Sequence, residues 1–294
     1  MKSIGIIAWP GRSEQLPQAL ARIADWAGHN PKTKVLAIDV LGSITSKLKL
    51  VSESQLKKCD ALLAIGGDGT VLSAARIALS RNIPILGVNT GRLGFLAEYH
   101  LEELEATLDM LISGKFTICP RIMLDFVIYD GRKIVVRDTV LNEVQIQAMD
   151  PQHMVDLEAR LNGSHLTEYW ADSLLISTPT GSTAYNLSAG GPILHPATEA
   201  FILNPVNPCS LSVRPLVISA DKTNLTLQEC NGHPVRIWAD GRPGPILGAG
   251  HRLELSKSKW CTHFIQVNHF GFVEALRSKL GWTGKPKIKA SAKG

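Results

Sequence analysis

The hydrophobic period of this chain changes part-way along, and that change constrains most of what it can fold into. Up to about Phe116, short apolar runs alternate with residues at helical spacing. Ile4 to Ala8 is a strand-like run punctuated by Pro10-Gly11, after which Leu16, Leu20, Ile23 and Ala27 share one helix face. Val35–Val40, Ala61–Ile65 and Ile83–Val88 read as further strands. Val71, Ala75, Ala78 and Leu79 form a second helical stripe. Leu104, Leu108, Leu111 and Ile112 form a third, with glutamates in its first turns and Gly114 beyond its end. Strands separated by helices of this length predict a parallel α/β sheet.

Beyond Phe116 the period becomes 2. Val155, Leu157, Ala159 and Leu161 alternate with Asp156, Glu158, Arg160 and Asn162, and the run ends at an Asn162-Gly163 hairpin signal. The alternation returns at Leu225 and Leu227, at Val235, Ile237 and Ala239, and at Leu253 and Leu255. Asp130-Gly131 and Asn231-Gly232 supply further turns. The pattern predicts an α/β domain over residues 1–118 and a largely antiparallel β domain over 119–267. A last segment, 268–294, turns helical through Phe272, Leu276 and Leu280.

Composition excludes several classes of function. The chain is 45% apolar and 19% charged over 294 residues, too apolar for disorder, and holds no stretch approaching the ~18 apolar residues of a membrane span. Its formal charge of +5 suggests at first an anionic partner such as nucleic acid. Six of the 31 basic residues, however, lie after Leu276, where there is no acid, so the rest holds 25 against 26 acids and is nearly neutral. No nucleic-acid or membrane partner is expected, and the basic end (Arg277, Lys279, Lys285, Lys287, Lys289, Lys293) is read as a solvated or subunit-facing tail. Five cysteines, odd in number and never in a C-x-x-C pair, fit free thiols in a reducing compartment. With no secretory pattern at the start, the expected location is cytoplasmic.

Two segments carry chemistry. Gly66-Gly67-Asp68-Gly69-Thr70 lies between the strand Ala61–Ile65 and a helix. Its glycines let the backbone turn sharply and approach a ligand, and amides at a helix N-terminus favour an anion. Gly66, Gly67, Gly69 and Thr70 are therefore candidates to cradle phosphates, with Asp68 within reach of a phosphate, its metal, or a hydroxyl about to be phosphorylated. The plainer alternative is a tight turn with Asp68 or Thr70 as helix cap. No G-x-x-x-x-G-K-[ST] occurs, and Leu72 stands where a dinucleotide fingerprint needs its third glycine. The second segment, Ser177 to Pro192, is dense in small hydroxyls and glycines and follows the strand-like Leu174-Leu175-Ile176. Such a loop can hydrogen-bond the edges of a polar ligand, with Tyr185 available to stack. Asn142-Glu143 and Asp172 stand beside apolar runs, where a strand-end role competes with a functional one. The nine histidines show no ligand spacing, so no metal site built by protein is expected.

Together these segments resemble the NAD kinase family. The likeness covers Gly66–Thr70, Asn89–Leu96, Asn142-Glu143, Asp172, Thr178–Pro192, Arg214-Pro215-Leu216, Asp240-Gly241 and the terminal Arg277-x-Lys279-Leu280-Gly281-Trp282. It implies an α/β N-terminal domain and an all-β, sandwich-like C-terminal domain, the last segment returning to the first. It implies transfer of a phosphoryl group to the adenosine ribose 2′-hydroxyl of NAD, with Asp68 as general base and ATP or polyphosphate as donor. A divalent metal, magnesium by preference, would come with the donor's phosphates. Asp68, Gly69, Phe95, Asn142, Glu143, His153, Trp170, Asp172, Thr183, Ala184, Tyr185, Asn186, Leu187, Ser188 and Arg242 would hold NAD, in a homo-oligomer (dimer or tetramer). Trp170, Ser173, Cys209 and Arg242 depart from the residues common at their positions in that family. A non-catalytic dinucleotide sensor and a lipid or sphingoid-base kinase remain as alternatives. The glycine-aspartate loop suits both, but the hydroxyl-rich loop suits a greasy acceptor poorly.

Overall fold

The structure, a computed structural model, describes residues 1–91, 94–248, 250–267 and 272–282. Its first third alternates as the sequence predicts. β1 (Ser3–Ile7) leads into α1 (Leu16–His29), then β2 (Lys34–Ile38), β3 (Lys49–Val51), the single turn α2 (Glu53–Leu56) and β4 (Ala61–Ile65). α3 (Asp68–Leu79), β5 (Ile85–Asn89), β6 (Tyr99–His100) and α4 (Leu104–Ile112) complete it. The strands are parallel in the order β3-β2-β1-β4-β5. β4 and β5 are buried at every residue, as continuous apolar runs covered on both faces require. Lys49–Val51 was not anticipated from sequence; three residues are too few to show a period.

The remainder is antiparallel. Its strands are β7 (Thr117–Asp130), β8 (Lys133–Val140), β9 (Glu143–Ala148), β10 (Val155–Leu161), β11 (Ser164–Ala171) and β12 (Ser173–Ser177). After the short α5 (Tyr185–Ser188) come β13 (Ala200–Val206), β14 (Leu216–Ser219), β15 (Asn224–Glu229), β16 (Val235–Ala239), β17 (Arg242–Leu247) and β18 (His251–Gln266). The Asn162-Gly163 hairpin forms as expected, with φ +51 and +83, the left-handed pair such a turn needs. β14-β13-β12-β9-β16-β17 make one sheet, and its apolar face packs against β7, β10, β15 and β18 in a second core.

The two halves share a strand. β18 pairs along its length with β7, its first half also pairs with β15, and Phe264 near its end pairs in parallel with Ile85 of β5. One sheet of twelve strands thus runs through both domains. The first core accordingly includes Met123, Leu141, Phe264 and Ile265 from the later chain. Finally α6 (Phe272–Leu280) lies against the first domain, where the Lys279 ammonium sits 3.8 Å from the centre of the Phe95 ring. Lys279 therefore departs from the solvated tail expected of the basic end, because an aliphatic stem at helical spacing from the buried Ala275 and Leu276 turns inwards. Arg277 is exposed, as expected, and Lys285, Lys287, Lys289 and Lys293 lie outside the described residues. Phe264→Ala should cost about 3–5 kcal/mol of stability in urea denaturation, the range for a large buried aromatic. The loss should register in both domains together.

Candidate active site

α3 starts without a side-chain cap. Gly67 occupies the cap position, and neither Asp68 nor Thr70 serves there. Thr70 N–H donates to Gly67 O at 2.9 Å, and the amides of Asp68 and Gly69 before it have no acceptor in the helix and remain for a ligand. Gly66 makes the entry possible at φ +149, where its Cβ would stand 2.4 Å from the Thr70 hydroxyl. Its own N–H is spent on the Val88 carbonyl, 2.9 Å away. Gly67, Gly69 and Thr70 thus face the cleft while Gly66 shapes the turn behind them.

That cleft measures ≈ 570 Å³, and its walls bring together Gly67, Gly69, Thr70, Arg12, Arg76 and Arg242. Three guanidiniums around an uncapped helix start form a polyanion site, since planar forked donors match phosphate oxygens. Arg242 was assigned from sequence to the NAD side. Here it stands on the phosphate cleft, and Asp138 sits 3.6 Å from its guanidinium. Arg12 and Arg76 were missed. The signal for Arg76 was available, because Gly69, Ser73 and Arg76 fall at i, i+4 and i+7 on α3 and share a face. Arg12 lies in a loop and has no such signal.

Asp68 turns its carboxylate away from the cap towards the segment after β5. Oδ2 accepts the Phe95 N–H at 2.8 Å, and Oδ1 accepts those of Leu96 and Ala97 at 2.9 and 3.1 Å. Gly94 lies so close that a Cβ there would stand 1.7 Å from Oδ1. A carboxylate offers about four lone pairs, so one on Oδ2 is unspent. On the far side of this segment, Phe95 and Leu96 face Thr180 and Thr183 across a small hollow. Asp68 thus links two spaces through its neighbours: Gly67 and Gly69 line the arginine cleft, and Phe95 and Leu96, whose N–H groups it accepts, line the hollow with Thr183. Arg92 and Leu93 of the same sequence motif lie outside the described residues.

The β domain brings its own acids to this junction. Asp240 and Gly241 form a left-handed turn, φ +48 and +70, between β16 and β17, and line the phosphate cleft. The Asp240 carboxylate accepts the N–H groups of Leu141, Asn142 and Glu143 at 3.0, 2.7 and 3.2 Å. Burial pushes its pKa up in spite of those donors and of Arg242. The Glu143 carboxyl is pushed up to about 8, first by burial and then by Asp240. It is therefore a proton carrier at neutral pH. Glu143 Oε2 and Asn142 Oδ1 are both buried without a partner, which is costly unless a ligand completes them.

The hydroxyl-rich loop wraps over the same place. Thr178 Oγ1 donates to Leu141 O at 2.5 Å, and Thr178 N–H donates to Asn142 O at 2.9 Å. Within the loop Asn186 is fully buried. Its amide donates to Ser182 O and Pro192 O, each at 3.0 Å, and accepts from Asn204 at 3.0 Å. Its side chain thus holds the loop's shape, while Thr183, Ala184 and Leu187 are half-buried and Tyr185 and Ser188 are exposed.

The remaining candidates sit elsewhere. Ser177 pairs with Glu143, and Asp172 lies five residues back along the strand direction, about 17 Å away at extended spacing. Asp172 accepts from Asn207 at 2.8 Å and Trp170 is 59% exposed. His153 is also exposed, its ring stacked on His233 at 4.2 Å. Within one chain, Asp68, Gly67, Gly69, Thr70, Phe95, Asn142, Glu143, Thr183 and Arg242 converge; Asp172, Trp170 and His153 do not. No group of three or more His, Cys, Asp or Glu among the described residues is placed to hold a metal ion.

A polyanion cleft at a bare helix start, beside a carboxylate with a free lone pair, is the equipment of a phosphotransferase. Residues 10–116 match the family model described as the ATP-NAD kinase N-terminal domain, and residues 141–267 the ATP-NAD kinase C-terminal domain. The NAD kinase of Alcanivorax borkumensis is 35% identical over 290 residues, covering 97% of this chain and 95% of its own. That of Cytophaga hutchinsonii is 38% identical over 232 residues, 79% and 78% of the two chains. Yeast NADH kinase complexed with NADH shares the fold at a TM-score of 0.90, with 22% identity over 99% of this chain and 90% of that one. An Archaeoglobus fulgidus NAD kinase in complex with ATP superposes at 0.72, with 24% identity over 96% and 98%. The chain belongs to the NAD kinase family.

The state of Glu143 has a thermodynamic consequence. Its carboxyl titrates near 8 when folded against an ordinary 4.5, so only the folded chain keeps the proton between those values. The contribution is full below pH 4.5 and is lost as the pH rises through 8. Stability relative to Glu143→Gln should decline across that window and level off above it, as measured by urea denaturation at a series of pH values.

Proposed function

We propose that this chain transfers a phosphoryl group from ATP or polyphosphate to the 2′-hydroxyl of the adenosine ribose of NAD. The observation that carries this reading is the setting of Asp68: its neighbours Gly67 and Gly69 line the arginine cleft, its carboxylate holds Phe95 and Leu96 on the hollow, and Oδ2 keeps one lone pair. The donor phosphates lie on the amides of Gly67–Gly69, beside Thr70, between Arg12, Arg76 and Arg242. The adenosine half of NAD meets Asn142, Glu143 and the Thr183–Ser188 loop. Proteins of the same fold carry NADH and ATP in the yeast and archaeal complexes.

A ribose hydroxyl is far less acidic than a carboxyl. Asp68 Oδ2 therefore orients the 2′-OH and takes its proton late, as the new P–O bond forms. Guanidiniums and helix amides neutralise the transferred group, which is the main demand of phosphoryl transfer. Neutral Glu143 can donate to an acceptor on the ligand, and the Asn142 carbonyl can accept from one. A divalent metal fits this site through the donor, since the cleft presents three arginines against a single carboxylate, Asp240, which is spent on three backbone N–H groups. Carried on the phosphates, such an ion shares in charge neutralisation. A homo-oligomer, dimer or tetramer, belongs to the proposal: Asp172, Trp170 and His153 reach a dinucleotide at Asp68 most directly from a second copy. A cytoplasmic location fits the five free thiols.

With ATP, magnesium and NAD, the protein should yield NADP that an NADP-specific dehydrogenase converts to NADPH, and 2′-deoxy-NAD should give none. NAD that binds without turnover would make the protein a sensor instead. Asp68→Asn should lower kcat by ~10²–10⁴-fold, the usual range for a positioned proton acceptor. It also replaces one of the two carboxylate oxygens that accept backbone N–H groups with a donor, so a small drop in Tm should accompany it.

A further inference from the structure

The terminal Arg277-x-Lys279-Leu280-Gly281-Trp282 segment has so far no part in the chemistry. Its lysine is nevertheless the most unusual cation among the described residues. The Lys279 ammonium is buried on α6 with no hydrogen-bond partner, 3.8 Å from the centre of the Phe95 ring. Lysine is almost never buried so unless paired, and an unsatisfied ammonium in the interior is costly. The Phe95 ring offers partial compensation through its negative face. Asp68 on α3 and Glu98 just before β6 both attract the ammonium electrostatically, and Arg121 of β7 lies beyond Glu98. The backbone of the same Phe95 donates to Asp68 Oδ2, the oxygen with the unspent lone pair.

We infer that Lys279 is a positioning residue for the reaction: its ammonium seats Phe95 and holds the Asp68 acceptor oxygen in place when the donor's phosphates enter the adjoining cleft. The physical need is clear from the layout. The field of a polyanion entering beside Asp68 repels its carboxylate from the attack geometry. A buried cation on the opposite side offsets that field at low effective dielectric, where it is screened least. Because α6 comes from the end of the chain, the acceptor is complete only when that helix is docked. The inference rests on Asp68 acting as proton acceptor.

Burial brings the Lys279 pKa down to about 8, with Asp68 and Glu98 pulling back towards the charged form. Above that pH the ammonium loses its charge, so kcat should fall on a basic limb. Glu98, raised to about 7 chiefly by burial, and Arg121, lowered by burial, are the other charged groups around it. They leave that limb in place.

The test is steady-state kinetics with NAD and ATP across pH on the full chain. Lys279→Met keeps the stem and removes the charge; it should lower kcat at least tenfold with KM for ATP little changed. Lys279→Arg should recover much of kcat and carry activity past pH 8, since guanidinium stays charged. Glu98→Gln serves as a control, in which the basic limb should persist. A Lys279→Met variant as active as the parent, or the same basic limb in Lys279→Arg, would overturn the role of Lys279 and leave Asp68 standing. If Met and Arg variants lose Tm and activity in parallel, the residue merely packs α6 and the inference fails. Loss of the reading itself would show differently, as Asp68→Asn turning over at the parental rate.

Discussion

The Asp68 carboxylate grips three successive backbone amides, and most of the junction hangs on that contact. Phe95, Leu96 and Ala97 are held over the start of α3 by hydrogen bonds of 2.8 to 3.1 Å. The charge-assisted form of these bonds makes them stronger than neutral ones. They fix the Phe95 ring that faces the β domain and fix the direction of the remaining oxygen lone pair. They also leave Gly67 as a bare cap, so the amides of Asp68 and Gly69 stay free for an anion. One side chain thus sets the shape of both spaces at the junction.

Asp240 does the matching work from the other domain. It gathers the amides of Leu141, Asn142 and Glu143 as Asp68 gathers those of the Phe95 segment. The acids nearest the junction then separate by environment. Asp68 has a cation behind it, while Glu143 is buried beside another carboxylate and keeps its proton. In the proposed reaction the first accepts a proton and the second donates a hydrogen bond. That division follows from burial and charge placement rather than from residue type.

Much of this was legible in the sequence because it rests on local pattern. The switch of period near Phe116, the Asn162-Gly163 turn and the glycine-aspartate loop each announce their conformation over a few residues. Gly94 and Asp240 act through contacts made far along the chain, and no window of residues carries that signal. Arg12 has no neighbours that mark it, whereas Arg76 could be found by following α3 round from Gly69. Lys279 was misjudged for a related reason. A run of lysines reads as solvent-facing by composition, and only the docking of α6 shows that one of them turns inwards. The shared strand was invisible too, since the pairing of Phe264 with Ile85 joins residues far apart in the sequence.

That shared strand bears on how the protein is made. Chains leave the ribosome from the N-terminus, and domains commonly fold as they appear. Here the outer edge of β5 carries only the two-residue β6 until β18 pairs at Ile85, and the first core lacks Phe264 and Ile265 until then. A largely unpaired strand edge is a template for the wrong partner. The nascent first domain must therefore remain unfinished, and in need of protection, through most of synthesis. Its last stitches arrive with the closing residues, so a chain cut short in translation cannot complete the sheet on which its phosphate cleft is built.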